Sequence, residues 1–208
     1  MHQPAQALPI APTTMARIAI GTHLPDQGGT LAAYVARPDG SLYGLIVASA
    51  DHDVTGPWGP YGQDVPGAHG THGAASTHAM ADAGSTIAQA VRSLQIEGHA
   101  DWYIPSRLEL LAAYEQAPQL FDKSSYYWTS SQYSRLSAWC QDFECGGSRA
   151  DYKGTEFRAR PVRSIQLQAV SPSPLRSGCP GQCRPVGEAD PHEISAAAAT
   201  PCTARAAA

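Results

Sequence analysis

Charge is scarce in this sequence. Asp, Glu, Lys and Arg make up 15% of its 208 residues, against about 25% in an ordinary soluble domain. Lysine is nearly absent, with 2 Lys beside 12 Arg. The net charge of −4 leaves no basic footprint, which argues against a nucleic-acid partner. There is no run of 18 apolar residues, so no membrane-spanning helix is expected. Met1–Thr14 lacks the basic and apolar regions of a secretory signal, so the expected location is the cytoplasm or a virion. The cysteine count is five, and an odd number without a signal favours free thiols over a disulfide framework.

Aromatic residues are missing from 167–208, which is dominated by Ala, Pro, Ser, Gly and Cys. Such a segment cannot bury enough apolar area to offset its ordering entropy, so it is expected to be a disordered tail. Residues 1–16 read as a disordered leader. Enzyme signatures are lacking as well. No Ser-His-Asp order, Gly-rich phosphate loop or paired-carboxylate pattern stands out, so no catalytic residue, cofactor or metal is expected.

The remaining body, 17–166, is rich in turns and reads as mixed α and β. Arg17–Thr22 and Thr30–Arg37 are strand-like. Pro38-Asp39-Gly40-Ser41 is turn chemistry, and Leu42–Ser49 follows as a strand, giving a hairpin. Residues 51–84, rich in Gly, His and Pro, read as one long loop. His69, His72, His78, Asp51, His52, Asp53 and Asp64 supply zinc or nickel ligand types there, but their spacing has no helix or strand context, so a plain loop is expected.

Two helices follow. Ser85 caps the first, with Ile87, Val91 and Leu94 on one face and Gly98 as its stop. The second opens on a capping box, Ser106-Arg107-Leu108-Glu109. Leu108, Leu111 and Ala112 are its expected apolar face, and Pro118 ends it. Residues 126–165 read as strands and turns. They hold half of the chain's aromatics, so the packing centre is expected there.

Four elements occur in order: Asp101-Trp102-Tyr103-Ile104-Pro105-Ser106 with Glu109-Leu110, then Tyr127-Trp128-Thr129-Ser130-Ser131, then Phe157-Arg158-Ala159-Arg160-Pro161-Val162-Arg163. This series resembles the Lcl C-terminal domain family, most strongly over 101–165, with a weaker likeness reaching back to Gly44–Ala48. The resemblance implies an α+β, C-type-lectin-like fold: two helices packed on an irregular, mostly antiparallel sheet. That fold is related to formylglycine-generating enzymes and to retroelement-diversified variable proteins. It also implies a non-enzymatic role, binding a protein or glycan on a cell surface through a changeable face, as in adhesins and phage tail tips. Trp, Met, Gln, Lys and Glu, which adenine mutagenesis of Asn codons cannot produce, are not depleted in 132–157. A retroelement history therefore rests on the resemblance alone.

Between the fixed elements lies 132–155. Tyr133, Arg135, Asp142, Arg149, Asp151 and Tyr152 are the candidate ligand-binding residues there, because Tyr and Arg dominate binding hot spots. Strand alternation points Trp139 and Phe143 inward and Cys140, Asp142 and Glu144 outward, with a turn at Gly146-Gly147. Trp102, Trp128 and Phe157 are expected in the core. Arg158, Arg160 and Arg163 read as one solvated or ion-paired face, with Glu109 and Glu156 as partners, in preference to an anion-binding row, and Asp101 reads as a turn or cap. The competing reading is a copper-dependent oxidase. Related enzymes hold copper with a Cys-x4-Cys pair, and Cys140 and Cys145 have that spacing. Here, however, the pair precedes Gly146-Gly147-Ser148 instead of following such a segment, and 140 and 145 face opposite sides of a regular strand.

Overall fold

A computed structural model describes residues 18–37 and 41–166. The expected leader, the centre of the first hairpin turn and the expected tail lie outside the described residues. The described elements, in chain order, are β1 (His23–Leu24), β2 (Gly29–Ala36), β3 (Leu42–Val47), β4 (Val54–Pro57), α1 (Gly73–Asp82), α2 (Thr86–Arg92), α3 (Arg107–Gln116), β5 (Tyr126–Gln132), β6 (Ser137–Asp142), β7 (Ser148–Tyr152), β8 (Glu156–Ala159) and β9 (Val162–Gln166). The class is α+β. One sheet runs β1-β2-β3-β9 and the other β4-β8-β5-β6-β7. Every pairing is antiparallel except a single parallel contact, Tyr127 with Arg158.

The expected β2–β3 hairpin forms, with Thr30 opposite Val47 and Ala36 opposite Leu42. The expected strand at 17–22 does not form. Residues 18–22 turn instead, with Gly21 at φ +86, and the first strand is the short β1. β3 is buried on both faces: Ile46 enters one apolar cluster, while Tyr43, Leu45 and Val47 enter another. β5 divides the same two clusters, sending Trp128 into the first and Tyr127 into the second.

Three helices pack here, not two, and the expected long loop at 51–84 contains both β4 and α1. The inward residues of α1 include Gly73, Ser76, Thr77, Met80 and Ala81, so its sequence carries little apolar periodicity. Tertiary contacts stabilise it instead. Thr77 Oγ1 lies 3.1 Å from Ile104 O, and Ile104 N donates to Thr77 Oγ1 at 3.0 Å. Ser85 caps α2 by accepting from Ala88 N. That helix ends at Arg92, so Gly98, at φ +80, belongs to the following turn and is not the stop.

The capping box of α3 is complete, but its inward face is not the expected one. Glu109, Leu110 and Ala113 are buried, and Leu108 is 53% exposed. The cause is Glu109. Its Oε2 accepts from Ser106 N at 2.7 Å, and its Oε1 accepts from the hydroxyls of Tyr43 at 3.0 Å and Tyr103 at 2.9 Å. Three donors satisfy the buried carboxylate and fix the rotation of the helix. Burial, then the adjacent carboxylate, holds both tyrosine hydroxyls above their ordinary pKa.

The three arginines are ion-paired, though not with glutamates. Arg158 pairs with Asp122, Arg160 with Asp53 and Arg163 with Asp101. Arg158 belongs to β8 and Arg163 to β9, with Arg160 between the two strands, so they do not form one row. Asp101 is thus a partner of Arg163 and not simply a turn residue. Trp102 and Trp128 are buried as expected, and Phe157 is half-buried against Trp128.

Candidate ligand-binding face

The β6–β7 hairpin turns at Gly146, whose φ of +77 is a left-handed conformation suited to glycine. Residues directly opposite each other on an antiparallel ladder project to the same side. Cys140 stands opposite Arg149, and Ala138 opposite Asp151. Trp139 stands opposite Ala150, and Ser137 opposite Tyr152. Ala138 and Cys140 are fully buried, while Trp139 is half-exposed. The expected alternation is therefore inverted for Trp139 and Cys140. Phe143 is buried as expected, but it lies beyond the end of β6, so its even spacing from Trp139 does not put both on one face.

The six candidate residues do not share one face. Asp142, Arg149 and Asp151 share a side with Tyr126, the residue opposite Asp142. The Arg149 guanidinium lies 4.1 Å from the Tyr126 ring centre and bonds Asp151 at 2.9 Å. The Cys145 thiol, then the Glu144 backbone N–H, donates to Asp142 and holds its carboxyl below the ordinary range. Tyr152 projects on the other side with Trp139. Tyr133 and Arg135 sit in the connection between β5 and β6.

That second side is aromatic and concave. Tyr133 meets Trp139 edge-on at 5.1 Å, and Tyr152 meets Tyr61 at 6.3 Å. Arg107, the first residue of α3, lays its guanidinium 3.7 Å over the Trp139 ring and donates from Nε to Ser148 Oγ at 3.1 Å. Trp139, Arg107, Leu108, His69 and Gln132 line a cleft of about 260 Å³. Tyr61, Arg107, Leu108 and His69 were not among the candidate binding residues read from the sequence, where His69 stood only as a metal-ligand type and Leu108 as part of a helix's apolar face. The capping box was the available signal: it places the two residues after Ser106 in a first helical turn, and Leu108 is too exposed to belong to the core.

Behind this side lies a buried ammonium. Lys153 is fully buried, donates from Nζ to Gln63 O and Gln132 Oε1, and stands 4.6 Å from the Trp58 ring centre. Burial pulls its pKa down to about 8. Gln132 Nε2 in turn donates to Asp64, which also meets His69 at 3.2 Å. The Gln132 and His69 contacts hold the Asp64 carboxyl below its ordinary pKa.

A family model, described as the Lcl C-terminal domain, matches residues 60–163. The chain belongs to the Lcl C-terminal domain family. The match begins well before 101 and takes in α1, α2 and much of the cleft, whereas 44–48 lies outside it. No curated protein matches the chain. Within this Lcl C-terminal domain the two described cysteines meet different surroundings. Cys140 is buried, donates to Arg149 O, and has its pKa raised to about 11 by burial. Cys145 is exposed in the hairpin turn. Among the described residues, no group of three or more His, Cys, Asp or Glu is gathered to hold a metal ion, and no helix is long and apolar enough to cross a membrane.

Proposed function

We propose that this chain is a non-enzymatic ligand- or receptor-binding module, a C-type-lectin-like scaffold that recognises a protein or glycan on a cell surface. One observation carries the reading. Of the six large apolar side chains exposed among the described residues, five, Tyr61, Leu108, Tyr133, Leu136 and Tyr152, lie on or beside 132–153, and the sixth, Leu42, opens β3. Tyr61 reaches Tyr152, Tyr133 reaches Trp139, and Leu108 shares the Trp139 cleft. An exposed apolar patch rimmed by polar groups marks an interaction surface. Buried Trp128, Phe143 and Lys153 hold the backbone beneath it, so the recognition side chains are presented with little ordering cost. The family resemblance adds the setting, an adhesin, a phage tail tip or a diversified variable protein.

The test compares labelled wild type with the Tyr133→Ala/Tyr152→Ala double variant on panels of intact cells and immobilised glycans. Circular dichroism checks the fold. Hot-spot residues cost about 2 kcal/mol each, so binding to the wild-type target should fall at least tenfold. Undiminished binding by the double variant, or no wild-type target on either panel, overturns the proposal.

A further inference from the structure

The Trp139 cleft does not stand alone. A second cleft of about 250 Å³ is lined by Val35, Ala36, Arg37, Tyr43, Thr71, His72 and Leu108. Thr71 and Leu108 line both, so the two form one groove with an apolar end and an aromatic end.

The charge along this groove is one-sided. Arg107 uses its Nε on Ser148. Among the described residues, no acceptor or carboxylate partners its remaining guanidinium donors. Arg37 lies 4.7 Å from the Tyr43 ring centre, and its Nε is buried without an acceptor among the described residues. Among the described residues, no carboxylate lines either cleft. The nearby acids already have partners: Asp64 is held by Gln132 and His69 at the edge of the Trp139 cleft, and buried Glu109 by Tyr43, Tyr103 and Ser106 N.

We propose that the groove binds an acidic peptide segment, resting on the binding-face reading above. A carboxylate side chain meets Arg107, and a neighbouring apolar side chain fills the cleft beside Val35, Tyr43 and Leu108. A guanidinium already flat on an indole loses little freedom when it grips a planar carboxylate through two N–H groups. The apolar cleft decides between a peptide and a sugar acid. Val35, Ala36 and Leu108 offer hydrocarbon contact and no side-chain hydrogen bond, which suits an aliphatic side chain better than a sugar ring with hydroxyls on every side.

The probes are acetyl-Glu-Gly-Leu-amide, its Gln counterpart, acetyl-Glu-Gly-Gly-amide and glucuronate. They are titrated into the full 15N-labelled chain while the Trp139 indole N–H resonance is followed, assigned with Trp139→Phe. The Glu-Leu peptide should bind at roughly millimolar Kd, at least tenfold tighter than each of the other three. Arg107→Gln should make the Glu and Gln peptides equivalent. Arg107→Lys, which keeps the charge and loses the fork, should weaken the Glu peptide several-fold and covers the case in which Arg107→Gln does not fold. Equal affinity for Glu and Gln peptides, equal affinity for glucuronate, or no shift with any probe overturns the inference. If Tyr133→Ala/Tyr152→Ala abolishes cell or glycan binding while Arg107 variants leave it intact, the binding face stands and the acidic-peptide inference alone falls.

Discussion

Trp58 and Trp128 anchor each other's segments. The Trp58 indole donates to Thr129 O at 2.7 Å, next to Trp128, and the Trp128 indole donates to Gly56 O at 3.1 Å, two residues before Trp58. Both rings are fully buried. Trp128→Ala should cost about 3–5 kcal/mol by emptying that space. Trp128→Phe keeps most of the volume but leaves Gly56 O without its donor, and should cost about 1–3 kcal/mol. Urea denaturation followed by far-UV circular dichroism gives both values. A Phe variant as stable as wild type would mean that the indole bond contributes nothing.

The ion pairs of Arg158 and Arg160 should behave differently because their burial differs. The Arg160 and Asp53 side chains are 3% and 10% exposed, whereas Arg158 and Asp122 are 39% and 40% exposed. Removing one partner of a buried pair strands the other charge, so Asp53→Ala should cost about 3–5 kcal/mol. Arg158→Ala should cost under about 1 kcal/mol. Comparable losses in the same denaturation experiment would contradict this assignment.

Lys153 gives stability a pH dependence of known sign. Its folded pKa, about 8, lies below the ordinary lysine value of 10.5, so between those values the unfolded chain binds more protons. Stability from this group therefore rises with pH through that window and is lowest, with the penalty fully present, below it. Lys153→Met removes the titration. The stability of wild type relative to this variant should climb from pH 8 to pH 10.5, as measured by urea midpoints at matched ionic strength. A flat difference would show that the ammonium pays no burial penalty.

Gly73 lies where a side chain has no room. A Cβ there would fall 2.6 Å from the Tyr103 ring and 2.8 Å from Ser106 N, beside the Glu109 carboxylate. Gly73→Ala should destabilise by about 1–3 kcal/mol, although alanine is the better helix former by about 1 kcal/mol at an exposed site. A stabilised variant in thermal melts would mean that this contact relaxes freely.

The described cysteines should separate by reactivity. Maleimide should modify Cys145 in the native chain and reach Cys140 only after denaturation, with peptide mass mapping to distinguish them. Oxygen uptake with Cu(I) and a thiol peptide should stay at the level of a Cys140→Ser control. Uptake above that control would favour the oxidase reading.

Local chemistry was the legible part of this sequence. Ser106 and Glu109 cap a helix through neighbours three residues apart, and Leu42–Val47 pairs with the strand just before it in the chain, so both could be read without the rest of the chain. What depended on distant partners was not legible. α1 turns Gly73, Ser76 and Thr77 inward because Ile104 and Glu109 await them, and no periodicity announces that. Glu109 faces the interior because Tyr43 and Tyr103 bond it, which turns Leu108 to solvent. The reversal of Trp139 and Cys140 has the same character. A strand's parity is fixed by its partners, and β6 is pinned between Trp128 and Arg149. Of the candidate binding residues, Tyr133 and Tyr152 were visible as exposed aromatics between fixed elements. Arg107 and His69 were not, because the groove joins segments far apart in the chain.

The bond from Lys153 Nζ to Gln132 Oε1 ties together the two ends of the stretch between them. It has a consequence for anyone building combinatorial libraries on this chain. Randomising 132–155 wholesale would erase both members of that clasp, along with Ala138 and Cys140, and most clones would be lost to misfolding before any selection. Holding those four residues constant and varying Tyr133, Arg135, Leu136 and Tyr152 should yield a smaller repertoire in which nearly every member is soluble and available for selection.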